Sequence, residues 1–316
     1  MREKNLSVKC TMTNGSYQRG IIAMNKEWSE QNKRMQSLIK KADTFNEGKD
    51  VLFELRNDLM NTAENINIIG AFCGVRDVEE LTEEALYRKY NIHQADVMAL
   101  FGGTILCGGD VMAEAMRENV AKTYIIVGGF GHTTSTLQET MKALFPDVDA
   151  YNMQEAELFN IYLNRKFGLS ADYLETASTN CGNNITNLLE LLEKNNIPCK
   201  SIILSQDATM QRRMSAVMRK YRPELQIINY ATYRAEVVRK NGDISFSSDI
   251  KGMWDMDRYI SLIMGEIPRL MDDEKGYGPR GKGYIAHEDI PPDVRKAFDE
   301  LLEQYEVRKA NPEFSS

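Results

Sequence analysis

The sequence predicts an α/β fold, a mostly parallel sheet with helices on both faces. Three observations lead there. The runs Asp96–Phe101, Thr123–Val127 and Ser201–Leu204 are short and almost continuously apolar, as strands buried on both faces are. Longer segments between them repeat apolar residues at helical spacing, as Ile185, Leu188, Leu189 and Leu192 do. Short polar turns, several rich in glycine, join each strand to the next helix, and such alternation builds parallel sheets.

Taken in order, Met1–Gly20 is polar and reads as a loosely packed arm. Lys26–Thr44, Lys49–Ile69 and Val78–Tyr90 each carry one apolar face and are expected as helices. The strand Asp96–Phe101 follows, then a helix over Val111–Val120 and the strand Thr123–Val127. Helices are expected over Leu137–Phe145 and Glu155–Phe167, then a short strand over Ala171–Leu174 and a helix over Ile185–Lys194. Ser201–Leu204 and Leu225–Tyr230 flank a helix over Met210–Tyr221. After Ala231 the alternation stops. Asn241-Gly242-Asp243 reads as a turn, and helices are expected over Asp255–Met271 and Asp293–Val307. The expected organisation is an α/β domain over residues 94–232. Residues 1–93 and 233–316 would pack together as a smaller, mainly helical second domain.

Composition narrows the function classes. A net charge of -7 argues against a general nucleic-acid binder, which needs a basic face. No apolar run reaches the ~20 residues of a membrane helix, and Met1–Met24 lacks the apolar stretch of a secretion signal, so no membrane anchor and a cytoplasmic location are expected. The five cysteines are scattered, with no C-x-x-C pair, and the three histidines form no ligand cluster. Reduced thiols and no metal site follow.

Every polar turn named below follows a strand, so all gather at the carboxyl edge of a parallel sheet, where such sheets bind ligands. Gly102-Gly103-Thr104 ends the first strand, and Gly128-Gly129-Phe130-Gly131-His132-Thr133-Thr134 ends the second. Glycines there let a ligand approach the backbone, and the following helix N-terminus favours an anion. The second turn is neither a full G-x-G-x-x-G nor a P-loop. Glu175–Asn184 (Glu-Thr-Ala-Ser-Thr-Asn-Cys-Gly-Asn-Asn) offers neutral hydrogen-bonding groups, notably Ser178, Asn180 and Asn184, and Ser178 or Asn180 also suits a helix N-cap. Cys181 reads as a small packed side chain rather than a nucleophile.

Ser205-Gln206-Asp207 closes the strand at Ser201–Leu204, and Thr209 is placed to cap the next helix. Arg212 and Arg213 in that helix's first turn oppose its dipole. They call for a carboxylate partner, Glu155 or Glu175, or for an anionic ligand. Arg280, on the loop Gly276-Tyr277-Gly278-Pro279-Arg280-Gly281, is placed to reach over a site from a lid. Glu155, Glu175 and Asp207 are the acid/base candidates, and His132 is the histidine on a candidate ligand loop.

These motifs together resemble the YdcF/SanA/ElyC-like family of domains of unknown function, over roughly Gln94 to Asp293. The resemblance rests on the turn Gly128–Thr134, on Ser178–Asn184, on Gln206–Arg213, and on Asp272-Asp273 with Gly276–Gly281. It implies a Rossmann-like domain with a small second domain, and binding of S-adenosylmethionine. Asn183 stands where the family turn has Glu, Gly102-Gly103-Thr104 replaces Ala-Gly-Asn, and Thr209 stands where wider-family members carry His.

The leading expectation is a soluble protein binding a small nucleotide-type ligand, S-adenosylmethionine. The glycine turns, Glu155, Ser178, Asn180, Asn184, Gln206, Arg212, Arg213 and Arg280 would contact it. A second is a hydrolase or transferase acting on a phosphorylated or otherwise anionic substrate, with Glu175, Asp207 or His132 in catalysis and the arginines on the anion. A third is an S-adenosylmethionine-dependent methyltransferase, with its second substrate under the Tyr277–Arg280 loop.

Overall fold

The computed structural model describes residues 61–131, 133–241 and 243–307. The arm at Met1–Gly20, the helix expected over Lys26–Thr44 and the first part of that over Lys49–Ile69 lie outside them.

Five strands form one parallel sheet: β1 (Ala95–Phe101), β2 (Ala121–Val127), β3 (Tyr173–Glu175), β4 (Ser201–Ser205) and β5 (Gln226–Asn229). Their order is β3-β2-β1-β4-β5. This is the Rossmann-like arrangement, in which the winding reverses between the first and fourth strands and leaves a crevice there. β1 is central because both its edges are paired, with Val97 opposite Thr123 on β2 and opposite Ile202 on β4.

Alternation along the strands divides the core in two. Val97, Ala99, Ile125, Val127, Ile202 and Leu204 face one layer, while Met98, Leu100, Ile126, Ile203 and Ile228 face the other. Both sets are fully buried, which is why these strands read as continuous apolar runs.

Helices α2 (Glu83–Tyr90), α3 (Cys107–Arg117), α4 (Thr134–Leu144) and α5 (Glu155–Phe167) cover the second face. On the first face lie α6 (Cys181–Lys194), α7 (Gln211–Tyr221), α8 (Met256–Leu270), α9 (Pro292–Leu301) and a helix, α1, at residues 61–73. α3 starts four residues before the expected Val111. Gly108 and Gly109 lie in its first turn, where a Cβ would meet Leu100 and Tyr162. These glycines bring the helix against strand and neighbouring helix rather than breaking it.

The described residues belong to one compact unit. α1 is tied to the C-terminal segment, where Asn65 Nδ2 donates to Glu300 Oε2 at 2.7 Å and Asn67 Nδ2 to the Val237 carbonyl at 2.8 Å. The segment after Ala231 holds an antiparallel hairpin, β6 (Val237–Lys240) and β7 (Asp243–Phe246), where only a turn was expected. Asn241 there takes φ of 56°, the left-handed conformation of a tight hairpin turn. The last helix ends at Leu301, short of the expected Val307. Among the described residues no helix is long and apolar enough to cross a membrane.

Candidate functional site

Because all five strands are parallel, their carboxyl ends share one edge. Four of the turns singled out above meet there in a continuous line. The β1 turn reaches the β4 turn at Gly103, whose Cβ position lies 4.0 Å from Gln206 Oε1. The β2 turn meets the β3 turn at Gly129. A Cβ there would collide with the Thr176 and Ser178 carbonyls, so only glycine allows the two backbones to touch.

Glu155 stands between the β1 and β2 turns. As the first residue of α5 it is held by the glycine loop itself, since its N–H donates to the Gly129 carbonyl at 3.1 Å and that of Ala156 to Gly128 at 2.8 Å. Its side chain is buried against Gly102 and Gly128, where Cβ atoms would stand 2.8 and 3.0 Å from its own Cβ. Thr134 Oγ1 donates to Glu155 Oε1 at 2.7 Å and accepts the Gly131 N–H at 2.7 Å. Burial pushes this carboxyl above the usual range, and the Thr134 bond only partly offsets it. Among the described residues no cation pairs with it.

Glu175 ends β3. Its Oε1 accepts the N–H groups of Ala177 (2.7 Å) and Ser178 (3.1 Å) and Asn187 Nδ2 (3.0 Å). Its Oε2 is buried with no hydrogen-bond partner, as are Ser178 Oγ and Thr104 Oγ1. Buried polar atoms rarely go unpaired, so an orphaned set asks for an explanation. Asn180 is the N-cap of α6, accepting the Asn183 N–H at 3.0 Å. Its Nδ2 also donates to Asn183 Oδ1 at 2.6 Å, so part of the turn's polarity is used inside the turn. Asn184 sits in the helix's first turn. Burial raises the Cys181 thiol, consistent with a packed rather than nucleophilic side chain.

Asp207 follows β4 and lines a narrow cleft with Phe101, Gly103, Phe159, Gln206 and Thr232. This cleft lies in the crevice between β1 and β4. Three donors converge on Asp207 Oδ1: the Thr209 N–H (2.8 Å), Thr209 Oγ1 (2.7 Å) and Tyr233 Oη (2.8 Å). Burial nevertheless raises this carboxyl above its ordinary value, against those bonds. Thr209 therefore serves Asp207 rather than capping α7, whose N-cap, Met210, makes no side-chain bond. Gln206 is fixed by its neighbours, its own N–H donating to Gln211 Oε1 at 2.8 Å and its Oε1 accepting the Asp207 N–H at 2.6 Å.

The arginines take partners elsewhere. Arg213 forms a two-pronged pair with Glu266 on α8, at 2.5 and 3.0 Å, and both side chains are largely buried. Arg212 donates to the Phe72 carbonyl, stacks on the Phe72 ring and reaches Glu288 at 3.2 Å. Glu288 also pairs with Arg219. The carboxylates that balance the two arginines are thus Glu266 and Glu288, not Glu155 or Glu175. Arg280 is exposed, its N–H donating to Asp272 Oδ1 at 2.6 Å and its guanidinium 3.4 Å from Asp272 Oδ2. It lines a separate cavity of about 280 Å³ with Asp272, Asp273, His287, Glu288 and Arg295, none of which lines the β1/β4 cleft.

Asp96, at the opposite edge, accepts the Lys200 and Ser201 N–H groups and Lys122 Nζ, a structural role. His132 lies outside the described residues. The described residues hold no group of three or more His, Cys, Asp or Glu placed to bind a metal ion. Sequence reading missed Thr232, Tyr233 and Phe159. Thr104 and Thr134 lie inside glycine turns that were recognised, but neither was singled out as a site residue; a polar residue closing such a turn was the available signal. No protein-family model matches the chain.

Proposed function

We propose that this is a YdcF/SanA/ElyC-like cytoplasmic protein that binds a nucleotide-type ligand, S-adenosylmethionine, along the carboxyl edge of its sheet. The observation that carries the reading is the orphaned set at that edge. Among the described residues five buried side-chain polar atoms lack a partner, and three of them, Thr104 Oγ1, Glu175 Oε2 and Ser178 Oγ, follow or end β1 and β3. They flank glycine turns whose close contacts tolerate no side chain. A ligand rich in hydroxyl and amino groups supplies the donors such atoms lack. The glycine turns meet its backbone-facing side, with Ser178 and Gln206 on its polar groups.

The second reading, an acid–base enzyme on an anionic substrate, draws support from the raised carboxyls of Glu155 and Asp207. Its anion-binding half is weaker, because Arg212 and Arg213 are engaged by Glu288 and Glu266. A methyltransferase needs a second substrate pocket, and the cavity beside Arg280 is the feature that favours it.

Calorimetric titration with S-adenosylmethionine and with S-adenosylhomocysteine tests the leading reading. Saturable one-site binding of at least one is expected. No heat and no thermal shift with either at millimolar concentration overturns it.

A further inference from the structure

We propose that Phe130 is the stacking platform for a planar heteroaromatic ring of the ligand, where the β2 and β3 turns meet. The inference rests on the reading that a nucleotide-type ligand lies along this edge, and adds the residue that takes its base.

The ring of Phe130 stands apart from the other phenylalanines. It is 46% exposed. Among the described residues every other phenylalanine lies in one of the two core layers or packs against it, and Phe130 does neither. It also meets no aromatic or cationic side chain among those residues. Its backbone, by contrast, is held on both sides. A Cβ on Gly129 would stand 2.3 Å from the Ser178 carbonyl oxygen and 2.6 Å from that of Thr176, so the β2 turn lies directly on the β3 turn. The Gly129 carbonyl accepts the Glu155 N–H at 3.1 Å, and the Gly131 N–H donates to Thr134 Oγ1 at 2.7 Å. The loop thus presents a bare ring from a fixed backbone at the strand ends, which limits the ordering cost when a ligand stacks on it.

The neighbouring turn supplies the second, independent observation. Glu175 Oε1 accepts the Ser178 N–H at 3.1 Å, and that nitrogen lies 3.0 Å from the Cβ position of Gly129, the residue before Phe130. Glu175 and Ser178 are buried, at 6% and 2% exposure, yet Glu175 Oε2 and Ser178 Oγ have no hydrogen-bond partner. A bare aromatic ring and two unpartnered polar groups therefore belong to turns in direct contact. A protein partner would need a contiguous apolar patch. The exposed residues of the adjoining turns, Ser135, Thr136, Ala177 and Thr179, are small and mostly hydroxyl-bearing. One ring among hydroxyls matches one planar group instead. A nucleic-acid base has an apolar face for the ring and polar edges for the turn beside it, and stacking accepts any base because each has a π-face.

The test titrates wild type and Phe130→Ala with S-adenosylmethionine and S-adenosylhomocysteine. Because the ring packs on neither core layer, Phe130→Ala should melt with the wild type. It should bind about tenfold more weakly, the scale of one lost base–aromatic stack. Phe130→Tyr keeps a ring and should stay within about twofold of wild type. Phe130→Trp adds a tryptophan to the two of the sequence, and saturating ligand should quench its emission beyond any change seen in the wild type. Equal affinity of wild type and Phe130→Ala overturns the inference and leaves the proposed function standing. If neither S-adenosyl compound binds, that function fails, and the monophosphates of adenosine, guanosine, cytidine and uridine decide the inference alone. A nucleotide that binds the wild type and loses about tenfold in Phe130→Ala supports it. No binding of any of the four at millimolar concentration, or binding indifferent to residue 130, overturns it.

Discussion

Gly102 and Glu155 are packed so closely that a Cβ on residue 102 would stand 2.8 Å from the Glu155 Cβ and nearer still to its Oε2. The glycine at the end of β1 is thus the space in which the carboxyl sits. Gly102→Ala is expected to displace Glu155 and cost about 1–3 kcal/mol of stability, the usual range for overpacking. It should also weaken ligand binding about tenfold or more. Gly103→Ala is the control, because its nearest neighbour, Gln206 Oε1, lies at an ordinary 4.0 Å. Urea denaturation and calorimetric titration of both variants check the pair. Equal behaviour of the two would remove Glu155 from the site.

The middle of the sheet was legible because β1, β4 and the carboxyl half of β2 are buried on both faces. Val97 to Phe101 and Ile125 to Val127 carry almost no polar interruption, so an apolar run and a strand coincide. The turns were legible for a related reason, since glycines and short polar residues mark where the backbone turns or is approached. The start of α3 was not, because Gly108 and Gly109 look like breakers until Leu100 and Tyr162 are seen against them. The hairpin β6–β7 was missed because only Val237 of its first strand is buried and no apolar run marks it. The partners of the arginines were beyond sequence reading altogether. Glu266 lies 53 residues from Arg213, and Glu288 lies 76 from Arg212. Nothing local in the sequence ties them together.

The Arg213–Glu266 pair gives a prediction that separates a structural arginine from a ligand-binding one. Both side chains are largely buried, at 13% and 6% exposure. Arg213→Met leaves Glu266 with a buried charge and only Arg269, 3.8 Å away, in place of two short bonds. Breaking such a pair costs about 3–5 kcal/mol. The double variant Arg213→Met, Glu266→Met should recover most of that loss, because replacing both charges with apolar groups of similar size is often close to neutral. Denaturant midpoints of the three proteins measure it. Ligand affinity of the double variant should match wild type within about twofold. A large loss of affinity at restored stability would return Arg213 to the ligand site.

Glu155 gives a pH dependence with a definite sign. Burial raises its folded-state pKa above the ordinary carboxyl value of 4.5. A group raised on folding contributes stability that is fully present below its unfolded pKa and is lost as pH rises through the folded one. Glu155→Gln carries no proton to lose. The variant should therefore melt at a higher temperature than wild type at pH 8, and its advantage should vanish or reverse toward pH 4. Thermal unfolding across that range measures the crossover. A constant difference at every pH would show that the carboxyl is not strained by burial.

The C-terminal loop contains a second titrating element, exposed this time. His287 Nδ1 lies 2.7 Å from Asp272 Oδ2, and its Nε2 lies 3.0 Å from Asp289 Oδ1. The first carboxylate, then the second, raises the imidazole above its ordinary 6.5. Asp272 in turn is lowered, first by the Arg280 N–H and then by His287. The protonated ring thereby joins the loop at Asp272 to the segment at Asp289. Here too the shift is upward, so its stabilisation is complete below pH 6.5 and is lost as pH climbs through the raised value. His287→Gln should be less stable than wild type at pH 6, with the gap closing as the pH rises above the imidazole range. Salt should narrow the gap at pH 6 as well, since exposed charges are screened. Amide hydrogen exchange over residues 272–289 reads the same event locally, with faster exchange in the variant at pH 6 and matching rates at pH 9. Exchange that is pH-independent after correction for the intrinsic rate would mean that the histidine does not hold this loop.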